Sequence, residues 1–147
     1  MQVISITPPP APFEVLGKVV VFYANCTEKP QTDTMTGREI VLHAYDEYTL
    51  PVKPSANLAA QIDADYSVWL QKAIDYEYDT EAGKVRAYRD VLLDDCDIRY
   101  CNPELWSAMG EAEKQAWREY KQALRDIPEQ EGFPFSVGFP LLPAGNT

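Results

Sequence analysis

The sequence is short of the residues that usually mark chemistry. It has one histidine, three cysteines and seven glycines in 147 residues. An odd, sparse set of cysteines does not suggest a disulfide scaffold. A lone histidine, His43, cannot complete a metal site in the familiar paired spacings. Cys96 and Cys101 stand near Asp94, Asp95 and Asp97, but only Cys26 and His43 could add to them, and neither lies in a paired motif. The bland reading is a pair of reduced thiols and a structural or surface histidine. There is no glycine-rich phosphate loop and no serine in a nucleophile elbow. The acidic pairs Asp63/Asp65 and Asp94/Asp95 are neighbours on one segment, whereas a glycosidase needs two carboxylates facing across a cleft. Enzymatic activity is therefore not expected, and no cofactor or metal is called for.

A surplus of positive charge is also missing. The net charge is −10, and it is uneven. Met1–His43 carries four acids and three bases, residues 44–97 twelve and five, and residues 98–147 seven and five. Such a surface repels phosphate backbones, so a nucleic-acid partner is not expected. It admits a basic partner, although solubility alone accounts for acidity. Long apolar runs are absent too. "VLGKVVVFYA" is interrupted by Lys18 and falls far short of the ~20 residues a membrane span requires. The opening "MQVISITPPP" lacks a basic stretch followed by an apolar one, so no signal peptide and a reducing cytoplasm are expected.

What is present is apolar and proline-rich. The apolar fraction of 46% can supply a core. Of the twelve prolines, seven cluster toward the ends: Pro8, Pro9, Pro10 and Pro12 near the start, Pro134, Pro140 and Pro143 near the finish. Both ends read as extended segments. Residues 15–25 are rich in Val, Phe and Tyr and read as a strand, as does "EIVLHAYDEYTL" over 39–50. The polar "TEKPQTDTMTG" over 27–37 reads as a long loop between them, with a further strand near Gln2–Ile6. A hairpin alone is marginal in water and needs a helix, more strands or a partner on its apolar face.

Helical spacing takes over after "PVKPS". Leu58, Ile62, Tyr66, Trp69, Leu70 and Ala73 form one face between Asn57 and Tyr76. Val85, Tyr88 and Leu92 form another between Thr80 and Leu93, weakened at Gly83 by ~1 kcal/mol relative to alanine. "DDCDIRYCNP" reads as a loop. Met109, Ala112, Ala116, Trp117, Tyr120, Ala123, Leu124 and Ile127 make the strongest apolar stripe. Glu111 and Glu113 at its start and Lys121 and Arg125 near its end suit the helix dipole. Pro128 ends it. Beyond come Phe133, Phe135 and Phe139 in a strap that cannot form a core alone. It must lie on the protein's own helices or on a partner. The expected fold is α+β: a small N-terminal β-hairpin or sheet over residues 1–55, then a helical region over 56–147 ending in a Pro/Phe-rich strap.

Several C-terminal segments occur in a familiar order. They are "RDVLL" at Arg89–Leu93, Asp97, "WREYKQALRDIP" at Trp117–Pro128, "GFP" at Gly132–Pro134 and "FP" at Phe139–Pro140. Together, over about residues 85–143, they resemble the phage tail assembly chaperones. Two positions depart from that pattern: Ile98 follows the loop aspartate where the family has tryptophan, and Phe139 replaces the tryptophan of the closing Trp-Pro.

The resemblance implies a chaperone that binds a tail fibre or other tail protein, a β-rich trimer, in the bacterial cytoplasm; the short apolar runs give no reason to expect a membrane partner. It implies a structural clasp in which Trp117, Tyr120 and Leu124 bury against Arg89, Leu92 and Leu93. The strap would fold back through Phe133, Pro134, Phe139 and Pro140. The N-terminal strands then become the candidate grip, through Val19, Val21, Tyr23, Val41, His43 and Tyr45. A permanent virion component at the fibre tip or baseplate and an acidic inhibitor of a host defence protein are the alternatives.

Overall fold

A computed structural model describes residues 1–143 of the chain. Four strands form one antiparallel sheet in the order β1-β4-β3-β2: β1 Gln2–Ser5, β2 Phe13–Leu16, β3 Val19–Thr32 and β4 Glu39–Pro51. The apolar run over 15–25 is not one strand. Gly17 adopts φ 65° and reverses the chain between β2 and β3, a conformation that costs glycine little and other residues more. The expected strand near Gln2–Ile6 is β1, laid along the His43–Asp46 stretch of β4.

The loop expected over 27–37 is mostly strand. β3 and β4 stay paired from Thr27↔Ala44 to Thr32↔Glu39, leaving only residues 33–38 as the turn. The polar composition is tolerated because residues 27–32 are exposed. Pro30 is tolerated because β2 pairs only with Val19–Phe22, so β3 is an edge strand from there on. A bulge between Ala24 and Thr27, with Asn25 at φ 52°, shifts the alternation of β3 by one residue.

The chain divides into two compact units, Met1–Glu77 and Tyr78–Thr147. In the first, α1 (Leu58–Ala64) and the start of α2 (Tyr66–Asp95) cover one face of the sheet. Val20, Phe22, Leu58, Ile62 and Ala73 form its buried core. Phe13, Phe22 and Tyr66 make an aromatic triangle with centroids 6.0–6.3 Å apart. Each fully buried large side chain here contributes roughly 1.5–3 kcal/mol. Leu58 and Ile62 complete the sheet's core within this unit.

The helices also divide differently from their periodicity. The break falls at Asp65 (φ −130°, ψ 42°), whose carbonyl accepts from the amides of Val68 and Trp69. From Tyr66 to Asp95, α2 runs unbroken through Gly83, so the two helices expected over 57–76 and 80–93 are cut elsewhere. One glycine costs only about 1 kcal/mol, and no proline lies in that stretch to stop the helix.

"DDCDIRYCNP" is not a loop either. It finishes α2, forms a π-helical turn over Cys96–Tyr100 and leads into α3, Pro103–Ala108. Asn102 caps α3 by accepting from the Leu105 amide at 3.0 Å, with Pro103 in the first helical position. α4 spans Glu111–Arg125, and a 3₁₀ turn follows at Ile127–Glu129.

Candidate functional site

Two surfaces were expected to matter, one in each unit. In the first, the register settles which face each residue occupies. Val20 and Phe22 point into the core, so Val19, Val21 and Tyr23 lie on the opposite face. Their β4 partners are Pro51, Thr49 and Glu47. Val41, His43 and Tyr45 share the parity of those partners, so all six candidate residues occupy one face of the sheet. The bulge brings Glu28 and Pro30, opposite His43 and Val41, onto it as well.

The six are not equally accessible. Val21 is buried, Val19, Tyr23, His43 and Tyr45 are half-buried, and Val41 is 44% exposed. Tyr23 meets Tyr45 edge-on, with centroids 5.6 Å apart. The Tyr23 hydroxyl donates to Glu14 Oε2 at 2.8 Å. Burial, then the hydrogen bond and charge of Glu14, push the Tyr23 phenol up to about 12. His43 Nδ1 lies 3.4 Å from Glu28 Oε1, placed to pair with it when protonated. The face is thus an apolar and aromatic strip edged with carboxylates.

Other exposed apolar groups in this unit escaped sequence reasoning. Ile4 and Ile6 are 67% and 70% exposed, and Met35 at the hairpin tip is 94% exposed. The tip is ordered by Asp33, whose carboxylate accepts from the amides of Met35 and Thr36 at 2.8 and 3.3 Å. Those bonds hold the Asp33 carboxyl below its ordinary value.

In the second unit, Trp117 and Leu124 are fully buried and Tyr120 nearly so. They cluster with Cys96 and Ile127, and Val85, Leu92, Leu93, Tyr100, Trp106, Phe133 and Phe139 pack round them. Arg89 is mostly covered, and its guanidinium bonds Asp90 at 2.7 and 2.9 Å. The strap turns back on itself: Ser136 N donates to Gly132 O at 2.7 Å. Pro134 is buried behind a cis peptide and Pro140 is half-buried. Phe133 meets Tyr78 edge-on at 6.3 Å, and Phe139 meets Tyr88 at 4.9 Å.

Two further contacts hold this unit and were not foreseen. The Gln130 side chain closes a pair of hydrogen bonds on Gly138: Nε2 donates to the carbonyl at 2.8 Å, and the Gly138 amide donates to Oε1 at 2.7 Å. Lys121 on α4 bonds Asp97 in the π turn, which holds the Lys121 ammonium above its ordinary value.

Residues 82–144 match the family model of the phage tail assembly chaperone protein. No curated protein and no solved structure matches the chain. The matched segment contains all ten residues expected in the clasp, whereas the six on the sheet face lie outside it. The similarity supports a general tail-assembly-chaperone role.

Among the described residues no charged or polar residue is buried, and no three His, Cys, Asp or Glu side chains are grouped as metal ligands. No described helix is long and apolar enough to cross a membrane. What the two surfaces present is packing and edge, with carboxylates at the margin.

Proposed function

We propose that the protein is a tail assembly chaperone that holds an unassembled tail-fibre or receptor-binding protein, a β-rich trimer, and assists its folding, trimerisation or attachment. The observation that carries this reading is the family match over residues 82–144, which takes in the whole Trp117-centred clasp. In this reading the clasp is scaffold, and the sheet face of Val19, Val21, Tyr23, Val41, His43 and Tyr45 is the grip.

The physical logic needs no catalysis. Unassembled β-rich chains expose apolar edges that invite wrong pairing. A partner that binds the unassembled form and not the aggregate shifts the balance by mass action. An acidic chain keeps the complex soluble. Work of this kind takes place in the host cytoplasm during particle assembly.

The test is affinity capture of the tagged full-length protein from phage-producing cells, with partners identified by mass spectrometry. Recovery of one long fibre protein, with the chaperone absent from purified particles, is the expected result. Stoichiometric presence in particles would make it a permanent virion component instead. Recovery of a host nucleic-acid enzyme and no fibre would overturn the chaperone reading in favour of an acidic inhibitor.

A further inference from the structure

Cys96 and Cys101 stand at the two ends of the π-helical turn. Such a turn bonds residue i to i+5, and the Cys101 amide donates to the Cys96 carbonyl at 2.8 Å. The turn thereby brings together side chains that α-helical geometry would hold on different faces. The two sulfurs are 3.4 Å apart. Their surroundings differ. Cys96 is 1% exposed and packs in the Trp117 core. Cys101 is half-buried and lines a surface cavity with Pro103, Trp106 and Lys121.

We propose that Cys96 and Cys101 form a reversible dithiol–disulfide site that reacts, through Cys101, with a small disulfide of the oxidised-glutathione class. The Cys101 thiolate attacks one sulfur of the small disulfide. That S–S bond breaks, a mixed disulfide forms on Cys101, and the released thiolate takes up the proton that Cys101 gave. Cys96 then yields its proton and attacks the Cys101 sulfur. The mixed disulfide breaks and the second small thiol leaves with that proton. Two protein thiols are oxidised to one disulfide, and one small disulfide is reduced to two thiols.

The order of events follows from access and charge. Only Cys101 opens to the cavity, so it meets the reagent first. Burial, with the neighbouring Cys101 thiol, pushes the Cys96 thiol up to about 12, while the Lys121 ammonium pulls it down. The Cys96 sulfur lies 3.4 Å from that of Cys101, in place to displace a group carried there. Cys96 thus becomes the resolving sulfur. Cys26 is the internal contrast: it is exposed and free in the first unit, so it can take an adduct with no thiol held beside it to displace the adduct.

The experiment uses the full-length Cys26→Ser protein, whose substitution lies at an exposed position. It is incubated with oxidised glutathione, alkylated and mapped by non-reducing mass spectrometry. Both remaining thiols should disappear, no glutathione should remain, and a linked Cys96–Cys101 peptide should form that dithiothreitol reverses. Adding Cys96→Ser should leave glutathione trapped on Cys101. A lasting adduct on Cys101 with Cys96 still free would overturn the proposal. So would two unmodified thiols, or a disulfide found only between chains.

Discussion

Tyr100 lies flat against Trp117, with ring centroids 4.9 Å apart and planes 17° from parallel. Tyr120 meets the same indole edge-on at 5.7 Å and 90°. The π turn, which carries Tyr100, is therefore fastened to α4 through one fully buried side chain. The Trp117 indole N–H finds no protein acceptor among the described residues. The site is thus held by shape and apolar area, not by a hydrogen bond. Truncating Trp117 to alanine should cost about 3–5 kcal/mol. Urea unfolding of the variant should show that loss as a lower midpoint with little change in slope. Phenylalanine at the same position should cost less, since it retains a ring and removes an orphaned donor. Unchanged stability of Trp117→Ala would dismiss the clasp as a structural core.

The strap depends on a glycine for a steric reason. A Cβ on Gly132 would lie 2.1 Å from the backbone carbonyl oxygen of Ser136. Backbone cannot swing aside as a flexible side chain can. Gly132→Ala should therefore open the turn and loosen Phe133 and Phe139 from the core. Gln130→Leu keeps most of the volume and deletes both bonds to Gly138, a loss of about 1–2 kcal/mol at a partly exposed site. The alanine variant should be the worse of the two by thermal melting. Equal melting for Gly132→Ala and the native chain would mean that the strap closes without this turn.

The amphipathic stripe from Met109 to Ile127 was legible because every third or fourth residue is apolar and Pro128 marks the end. The strand at Val19–Tyr23 was legible from its richness in Val, Phe and Tyr. Other features depend on contacts that sequence spacing does not encode. Polar residues 27–32 read as loop, yet they pair with β4 along an edge where neither polarity nor Pro30 is penalised. Gly17 and the Asn102–Pro103 pair did carry local signals, for a turn and a helix start. The surrounding apolar run and the cysteine-rich stretch masked them. Cys96 and Cys101 are neighbours only because the turn is π-helical, and Gln130 reaches Gly138 only after the strap has folded back.

Alkaline titration should single out Tyr23. Its phenol is held at about 12 against an ordinary 10.0, so the folded chain keeps that proton more tightly than the unfolded chain does. The stabilisation is whole below pH 10 and is lost as pH rises through about 12. Phenolate absorbance in the native protein should show Tyr23 ionising late, as burial also delays Tyr48, Tyr66 and Tyr120. In Tyr23→Phe one late-ionising group should vanish. In Glu14→Gln the Tyr23 step should move down, because the carboxylate's charge is gone. A Tyr23 step left unmoved in Glu14→Gln would rule out the Tyr23–Glu14 bond.

The proposed grip and the clasp can be separated because their residues fall in different units. Val41 is exposed on the sheet face and paired through its backbone with Pro30, so an aspartate there should leave the fold intact. It would place a charge in the middle of an apolar contact. Burying an unpaired carboxylate against a client costs several kcal/mol, so client capture should fall at least tenfold while melting stays within a degree or two. Val41→Ile, which keeps the surface apolar, should capture normally. Gln130→Leu should do the reverse: it should melt earlier and still capture client at temperatures where it remains folded. Full capture by Val41→Asp would move the grip off this face. If Val41→Asp also melted much earlier, Val41 would belong to the fold and not to the contact. Both readouts are therefore taken on the same preparations, with the client fibre recovered by the capture experiment as the probe.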